Sequence, residues 1–571
     1  MNPVLTRQEQ LDSLEQQEEV SVLIVGGGIN GAGLFRELAL QGVDVLLVEK
    51  SDFCSGASAA ATRVIHGGLR YLENGELRLV RESLRERSRL LANAPHYVGP
   101  LPITIPVFRW TSGAMNAVRT FLGGPNTPGD RGALIVKAGL ALYDLMAPGS
   151  QALPRHRFRS KKQALAAHPG LHPNTLCTAT FYDAKVSFAE RLCLELLLDA
   201  ERQNPRAIAL NYMRLEDAAG ETVRLREEGT GRLYTVKPKV VVNATGAWID
   251  LTNKALRRET QFIGGTKGSH VVLDHPELLA ATRGEMIYFA NRDGRICIFY
   301  PFFGRIIAGA TDIPVEGPDG AKCDDREVDY ILDSIRQAFP AIELAPSHVV
   351  FRFCGVRPLP RSDAALPGLV TRDYSFPVLP AGGEVDFPVF SLVGGKWTTF
   401  RALAEIVADQ LLRELGRTRQ CHTQDLPIGG GKGYPAGSTE QEQWINALHN
   451  RTGLPRERLG SLLERYGTRA EDVSEFLGRA ADTELESVKA YTQREVEYIA
   501  TREKVVHLDD LILRRTILGM AGQVDRPVLD EFGAVLGAAL RWTPDRTAEE
   551  VERTASLLVR IHGVSETLVN P

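Results

Sequence analysis

Three glycines near the start of the chain have the spacing of a turn that binds the phosphates of a dinucleotide. They are Gly26, Gly28 and Gly31, in the pattern G-x-G-x-x-G. Glycine at these positions permits a tight turn and lets a pyrophosphate approach the N-terminus of the next helix, which attracts anions. Glu49 follows at the distance where a carboxylate accepts hydrogen bonds from the hydroxyls of an adenosine ribose. This spacing predicts dinucleotide binding.

The segments around these glycines predict the strand, helix and strand that such a turn requires. Residues 20–25 are a continuous apolar run, residues 30–41 have apolar side chains at helical spacing, and residues 43–48 are predicted to be a second buried strand. In this order the elements form a βαβ unit, with the glycine turn between the first strand and the helix. The fingerprint alone does not separate NAD from FAD.

Six motifs further along the chain combine charged or polar groups with glycine or threonine. They are IHGGLRYLE (65–73), KGSH (267–270), GATD (309–312), GVRPL (355–359), TRDY (371–374) and GGKWTT (394–399). Together they closely resemble the FAD-dependent glycerol-3-phosphate dehydrogenases. The resemblance begins near residue 21 and reaches the C-terminal region, where residues 506–518 are also similar to the family.

The resemblance implies an α/β protein of three parts. These are a glutathione-reductase-like, Rossmann-type FAD-binding domain, a substrate domain built on a mixed sheet, and a helical C-terminal domain. The expected divisions are a disordered N-terminal segment at 1–19, an oxidoreductase region with interleaved FAD- and substrate-binding parts at 20–425, a glycine-rich linker at 426–438 and the helical domain at 439–571.

Oxidation of a secondary alcohol by a flavin requires a base for the hydroxyl proton. By the resemblance, His270 is the first candidate for this base and His66 the second, and a histidine pKa near neutrality suits the role. Arg357 would lie beside the substrate hydroxyl and stabilise negative charge on its oxygen. A buried ion pair is the alternative interpretation of this arginine.

The resemblance also assigns residues to the binding of substrate and cofactor. Arg70, Arg372 and Lys396 would surround the substrate phosphate or the product carbonyl, and Tyr71 would add a hydroxyl donor. The residues assigned to FAD are Gly26, Gly28, Gly31, Glu49, Lys50, Ser58, Thr62, Ala244, Gly246, Gly355, Gly394, Gly395 and Thr398.

The implied reaction converts sn-glycerol 3-phosphate to dihydroxyacetone phosphate and passes the electrons through FAD to a membrane quinone. The implied location is the cytoplasmic face of the inner membrane, on which the protein would be peripheral, because no apolar run is long enough to span a bilayer. A homodimer is compatible with the sequence. Apolar residues share one face of a predicted helix at 400–415, which is typical of core but is also a candidate lipid surface.

Composition argues against other classes of function. The net charge is −4 and no Lys/Arg-rich run is present, so nucleic acid is not an expected partner. The seven cysteines are scattered without a C-x-x-C pair, which predicts a reducing compartment and no metal site. Two alternatives stay open. One is a glycerol-3-phosphate oxidase that uses dioxygen, and the other is a non-catalytic flavoprotein, against which the intact set of cationic residues argues.

Overall fold

The computed structural model consists of two β-sheets flanked by helices. It describes residues 6–16, 18–73, 76–110, 132–147, 153–291, 293–361 and 373–569, with only the backbone of Arg70 and Glu73. The strands in chain order are β1 Glu19–Val25, β2 Val45–Val48, β3 Val64–Ile65, β4 Val98–Val107, β5 Arg157–Ser160, β6 Cys177–Val186, β7 Ala207–Leu210, β8 Met213–Ala219, β9 Thr222–Glu227, β10 Leu233–Asn243, β11 Thr266–Leu273, β12 Met286–Ala290, β13 Ile296–Phe302, β14 Arg305–Gly309, β15 Ile313–Pro314, β16 Val349–Arg357, β17 Val378–Leu379 and β18 Val389–Ser391.

The helices are numbered in the same way. They are α1 Arg7–Gln16, α2 Ile29–Leu40, α3 Leu69–Glu73, α4 Leu77–Asn93, α5 Ala133–Met146, α6 Lys161–Ala167, α7 Ala189–Gln203, α8 Ile249–Ala255, α9 Pro276–Thr282, α10 Asp325–Ala338, α11 Phe400–Glu414, α12 Ser438–Thr452, α13 Arg456–Tyr466, α14 Ala470–Leu477, α15 Gln493–Arg502, α16 Leu508–Asp510, α17 Arg526–Leu540, α18 Pro544–His562 and α19 Glu566–Val569. A π-helical turn, Leu511–Arg515, continues α16.

The first sheet contains the predicted βαβ unit. Its strand order is β17-β18-β10-β1-β2-β7, and the pairs from β18 to β7 are parallel. β1 lies inside the sheet with structure packed on both of its faces, so its last five residues are all buried, as its apolar run predicts. One face packs on α2, α7 and α11, and the other packs on α1 and the β8–β9 hairpin.

The second sheet is mixed and holds the strands that carry the candidate catalytic residues. Its order is β15-β11-β14-β13-β12-β4-β6-β3, with β16 also paired to β11 and β5 to β6. Only the β4–β12 pair is parallel among the described pairs of this sheet. Because β11 is bonded along both edges, its backbone is fixed over its whole length.

The C-terminal region is helical, as predicted, and packs directly on the second sheet. Helices α12 to α14 form their own small core around Leu459 and Tyr466. Helices α15 to α19 instead share one apolar core with β4 and β6, which includes Leu101, Phe181 and Leu558. The predicted α/β class, with a Rossmann-type unit, a mixed sheet and a helical C-terminal region, is confirmed.

The prediction of disorder at 1–19 is wrong for the residues that the structure describes there. Residues 7–16 form α1, and β1 begins at Glu19. Leu11 and Leu14 are buried against the first sheet. Gln10 donates to the carboxylate of Glu201 at 2.7 Å and accepts from the ammonium of Lys504 at 2.8 Å. The segment is polar in composition, but these few tertiary contacts are enough to order it.

The predicted linker at 426–438 is a packed segment over its first half. Ile428 is buried, and the backbone N–H of Gly429 donates to Asp199 at 2.8 Å. A Cβ on Gly430 would overlap the carbonyl oxygen of Tyr466. The glycines therefore permit close contact between backbones here, whereas their composition predicts a linker.

The apolar stripe at 400–415 forms core in the structure. Leu403, Val407 and Leu411 in α11 are buried against α2, and Ile406 remains 42% exposed. A Cβ on Gly33 of α2 would lie 2.5 Å from the ring of Phe400, so the glycine allows the two helices to approach closely. None of the helices in the described residues is both long and apolar enough to cross a membrane.

Candidate active site

The glycine turn lies between β1 and α2, at the carboxyl end of the parallel sheet. Gly26 has a φ of +113°, a backbone conformation that favours glycine. A Cβ on Gly26 would lie 2.6 Å from the carbonyl oxygen of Ala244, and a Cβ on Gly31 would overlap the carbonyl oxygen of Gly26. Both glycines are therefore needed for the close packing of β1, β10 and α2.

Gly28 differs from these two glycines because a Cβ added to it would not meet any backbone atom. It is the N-cap of α2, with an ordinary φ of −75°. Within 4 Å, a Cβ on Gly28 would meet only the hydroxyl of Ser58, at 3.1 Å. That hydroxyl accepts a hydrogen bond from the backbone N–H of Ile29 at 3.0 Å. The surface beside Gly28 is thus open to an anion at the N-terminus of α2.

Glu49 is held beside the turn by two backbone N–H groups. Its carboxylate accepts from Gly27 at 2.8 Å and from Ser51 at 3.0 Å. Gly27 is not among the predicted residues, although it lies inside the glycine pattern. The structure therefore brings together the acid predicted to bind ribose and the turn predicted to bind phosphate.

The other residues predicted to bind the cofactor differ in how close they lie to the turn. Ala244 donates its backbone N–H to Val25 at 2.8 Å, which keeps it beside the end of β1. Gly246 follows with a φ of +62°. Lys50 points to the protein surface instead, where its ammonium lies 3.7 Å from the carboxylate of Asp319.

A cleft of about 210 Å3 lies between the glycine turn and the second sheet. Its walls come from the loop after Gly56, from β11 and the end of β16, and from the 394–398 turn. The residues that line it are Ala57, Ala60, Ala61, Thr62, Val64, His66, Tyr71, Gly268, His270, Gly355, Arg357, Pro358, Leu359, Pro360, Gly394, Gly395, Lys396, Trp397 and Thr398. Most of the predicted catalytic and substrate-binding residues therefore share one cavity.

His270 lies in β11 on the wall of this cleft and is 2% exposed. Its ring stacks on Phe353 of β16, with centroids 4.9 Å apart and planes 7° from parallel. A Cβ on Gly309 would overlap the ring, so this glycine leaves the space that the imidazole fills. Within the described residues, neither ring nitrogen has a hydrogen-bond partner.

Burial, together with the positive charge of Arg357, lowers the pKa of His270 to about 3. This differs from the near-neutral pKa expected from the sequence, because the ring is removed from water. At neutral pH the imidazole is therefore uncharged, and one ring nitrogen has a lone pair with which to accept a proton.

Arg357 is both in the cleft and in an ion pair, so the two interpretations of its motif are compatible. Its guanidinium crosses over Gly268, where any Cβ would overlap it. Nη1 donates to the carboxylate of Asp312 at 2.9 Å, and Nη2 donates to the carbonyl of Thr311 at 3.1 Å. The Arg357 side chain is 24% exposed and lines the cleft.

A second group of predicted residues is linked through α3, α4 and the 394–398 turn. The Lys396 ammonium donates to the hydroxyl of Ser83 at 2.8 Å and lies 4.5 Å from the ring centre of Tyr71. The Thr398 hydroxyl donates to the carbonyl of His66 at 3.2 Å. His66, Tyr71, Lys396 and Thr398 therefore form one wall of the cleft.

Two predicted phosphate ligands lie outside what the structure describes. Arg372 is not among the described residues, and only the backbone of Arg70, in α3, is described. Their roles stay predictions.

Three residues that the sequence analysis did not assign also shape the site. Asp312 orients the guanidinium described above, and Trp397 donates its indole N–H to the carbonyl of Ser58 at 2.9 Å. Both lie inside recognised motifs, so a signal for them was present. Ser83, which holds Lys396, gives no such signal because it lies in the amphipathic helix α4 and reaches the site only through tertiary packing.

Comparison with known proteins divides the chain in two. Residues 21–410 match the family described as FAD dependent oxidoreductase, and residues 421–547 match the family described as the C-terminal domain of alpha-glycerophosphate oxidase.

Two curated relatives and one solved structure cover nearly the whole chain. A glycerol-3-phosphate dehydrogenase of Synechocystis sp. is 34% identical over 535 residues, which cover 88% of this chain and 90% of that protein. A D-erythritol 1-phosphate dehydrogenase of Brucella abortus is 31% identical over 88% of this chain and 95% of that protein. The structure of the glycerol-3-phosphate dehydrogenase from Bacillus halodurans, complexed with FAD, has a TM-score of 0.73 at 22% identity and covers 97% of each chain. This last likeness shows a shared fold.

Proposed function

The chain belongs to the FAD-dependent glycerol-3-phosphate dehydrogenase family, and we propose that it oxidises sn-glycerol 3-phosphate to dihydroxyacetone phosphate and delivers the electrons to a membrane quinone. The observation that supports the reaction most directly is the cleft in which an uncharged His270 and the cationic Arg357 and Lys396 lie together. A base and cations are what the oxidation of a phosphorylated alcohol requires.

The described residues fit FAD. The open surface at Gly28 and the N-terminus of α2 would hold the pyrophosphate, and the Glu49 carboxylate would accept hydrogen bonds from the adenosine ribose. Gly355 and Thr398, which line the cleft, would contact the flavin end. Bound FAD supplies the hydride acceptor for the alcohol carbon.

In the proposed mechanism, His270 accepts the hydroxyl proton of the substrate. Its ring nitrogens have no partner in the described residues and cannot reach water easily, so a substrate hydroxyl would supply the missing hydrogen bond. Arg357 stabilises the negative charge that develops on the oxygen as the proton leaves. Asp312 keeps the guanidinium directed at that oxygen through the 2.9 Å hydrogen bond.

Recognition of the phosphate distinguishes the proposed enzyme from a general alcohol oxidase. Replacing Arg372 is the first test of this recognition. If Arg372 holds the phosphate, Arg372→Met removes a charge-assisted contact and should cost about 1.5–3 kcal/mol in kcat/KM for glycerol 3-phosphate. Glycerol should scarcely be affected. Arg372→Lys should recover only part of the loss, because an ammonium lacks the two-pronged contact of a guanidinium.

The measurement is the preference for phosphorylated over unphosphorylated substrate, on variants whose FAD content and melting temperature match the parent. An unchanged preference would remove Arg372 from the site and leave Arg70 and Lys396 as phosphate ligands. Erythritol 1-phosphate belongs in the same series, because the name of one relative indicates a four-carbon substrate. We expect the three-carbon phosphate to have the higher kcat/KM.

We propose that α5, and not α11, meets the lipid surface from the cytoplasmic side of the inner membrane. Leu134 and Leu145 on the outer face of α5 are 63% and 81% exposed. On its inner face, Tyr143 packs against Gly67 beside the cleft, so a quinone in the lipid would have a short path to the flavin end. Residues 153–163 add five basic and no acidic side chains, which favours anionic lipid.

If α5 meets the lipid, replacing Leu134 and Leu145 with a polar residue should weaken membrane binding. A Leu134→Ser, Leu145→Ser variant should bind vesicles that contain anionic lipid at least about tenfold more weakly, because two apolar side chains no longer enter the bilayer. Leu251→Ser is the matched control, since Leu251 is 52% exposed on α8, which packs against β8 and β10 of the first sheet. Equal vesicle binding by the double variant and the control would place the lipid surface elsewhere.

The electron acceptor decides between a dehydrogenase and a glycerol-3-phosphate oxidase. The second function has support from the match of residues 421–547 to a domain named for an oxidase. The deciding experiment follows turnover with glycerol 3-phosphate in air, with a soluble quinone analogue present, and compares hydrogen peroxide with reduced quinone. We expect quinone reduction to dominate. Stoichiometric peroxide would establish the oxidase, and no turnover with either acceptor would support a non-catalytic flavoprotein.

A further inference from the structure

A buried carboxylate joins the dinucleotide turn to the C-terminal helices. Asp52 lies in the loop after β2 and is fully buried. Its two oxygens accept from the guanidinium of Arg515 at 2.7 and 2.8 Å, and one also accepts from Arg514 at 2.5 Å. The amide of Asn211 donates to the other oxygen at 3.0 Å. One carboxylate thus holds two arginines from the C-terminal region, and their charges keep its pKa well below the usual range despite burial.

Both arginines are themselves fixed within the C-terminal region. Arg514 donates to Asp509 at 2.8 Å and to Asp510 at 2.7 Å. The Arg515 Nε donates to the carbonyl of Glu503 at 2.9 Å. The π-helical turn Leu511–Arg515 directs the two consecutive side chains to the same carboxylate. The pair is therefore a rigid clamp on the loop and not a flexible surface contact.

The clamped loop carries the groups that shape the adenosine end of the dinucleotide site. Immediately before Asp52, the backbone N–H of Ser51 donates to the Glu49 carboxylate at 3.0 Å. Two residues after it, the backbone N–H of Cys54 donates to the carbonyl of Gly27 at 3.0 Å. A displacement of Asp52 would move both hydrogen-bond donors, and with them the acid and the glycine turn.

We propose that Arg514 and Arg515 are positioning residues for FAD, which hold the 50–54 loop so that Glu49 and Gly27 keep the geometry that binds the adenosine end. The C-terminal helical region is then a part of the cofactor site, although none of its described residues lines the cleft. This inference rests on the proposed placement of the adenosine ribose at Glu49.

The test measures the dissociation constant of FAD on full-length apoprotein by the quenching of flavin fluorescence. Removing one charge alone would leave its partner buried and unpaired, so the principal variant is the neutral pair Asp52→Asn, Arg515→Gln. The dissociation constant should rise by about 10- to 100-fold, as when outer residues that orient a ligand group are removed. At saturating FAD, the KM for glycerol 3-phosphate should stay within about twofold of the parent, because the cleft is untouched.

Arg469→Met is the matched control. Arg469 also joins the C-terminal region to the first sheet's helices, with 11% side-chain exposure, and its ion pairs among the described residues are with Glu195 at 3.8 Å and Asp199 at 3.4 Å, both in α7 and not in the loop. Its FAD dissociation constant should match the parent even if its melting temperature falls. An equal loss of FAD affinity in the control and the principal variant would overturn the proposal and assign the clamp to general stability.

A third variant distinguishes a failure of the positioning role from a failure of the proposed ribose site at Glu49. Glu49→Gln should weaken FAD binding if the adenosine end lies at Glu49. If Glu49→Gln weakens binding and the Asp52→Asn, Arg515→Gln pair does not, the clamp has no positioning role and the proposal fails while the cofactor site stands. If Glu49→Gln has no effect on FAD affinity, the placement of the ribose is wrong and the proposal falls with it.

Discussion

Replacing His270 with alanine is expected to lower the rate of cofactor reduction by glycerol 3-phosphate by about 10²–10⁴-fold, the usual loss when a general base is removed. Substrate binding should weaken far less, because the proposed phosphate ligands are other residues. The measurement is single-turnover flavin bleaching in a stopped-flow instrument, with the substrate concentration varied. His66→Ala is the control, since His66 lies on another wall of the same cleft.

The pH dependence of kcat/KM is a second, independent test of which residue is the general base. Because burial and Arg357 lower the pKa of His270 to about 3, the free enzyme holds this ring uncharged from pH 8 down to pH 5. Protonation of His270 should therefore cause no fall in kcat/KM across that range. The opposite result would be a fall in kcat/KM near pH 6.5 that is lost in His66→Ala, together with a small effect of His270→Ala on the rate. That result would make His66, and not His270, the general base.

Replacing Gly28 with valine is expected to yield a folded protein that is almost free of FAD. Within 4 Å a Cβ at this position meets only the Ser58 hydroxyl, at 3.1 Å, which must shift by a few tenths of an ångström, so the apoprotein should lose far less melting temperature than FAD occupancy. In the proposed site, in contrast, the pyrophosphate would approach the backbone where the new side chain stands. The measurements are the flavin-to-protein absorbance ratio after purification and the melting temperature of the apoprotein.

Gly31→Ala provides the contrast, because its Cβ would overlap the carbonyl oxygen of Gly26 inside the turn. That variant should lose melting temperature in the apoprotein itself. Full FAD occupancy in Gly28→Val would argue against phosphate binding at the N-terminus of α2.

The sequence was sufficient to predict the parts of the site that rest on short-range spacing. Gly26, Gly28 and Gly31 identify the turn because, within six residues, a Cβ at the first and third positions would overlap backbone and the second position leaves an open surface at the N-terminus of α2. His270 and Arg357 lie far apart in the chain, and only the family motifs connect them. The pairing of β11 with β16 explains why they meet, since the two strands run antiparallel with Gly268 opposite Gly355.

The errors arose where tertiary contacts outweigh local composition. The polar segment of α1 is ordered by Leu11 and Leu14, and the glycines at 429–431 pack against backbone instead of forming an exposed linker. The near-neutral pKa predicted for His270 is wrong for a similar reason, because the KGSH motif does not indicate that the ring is buried. The clamp on Asp52 was equally hidden, since its two arginines come from a region without a recognised chemical role.

The apolar core shared by the second sheet and the last helices has a consequence for folding during synthesis. Phe351 of β16 emerges from the ribosome long before His562 of α18, whose ring stacks on it in the finished protein with centroids 4.3 Å apart. The nascent second sheet must therefore expose the part of β16 that the last helices cover, and we expect chaperones to bind it. Chains stalled after residue 440 should be cut by protease within β16, while β1, α2 and β2 already resist digestion.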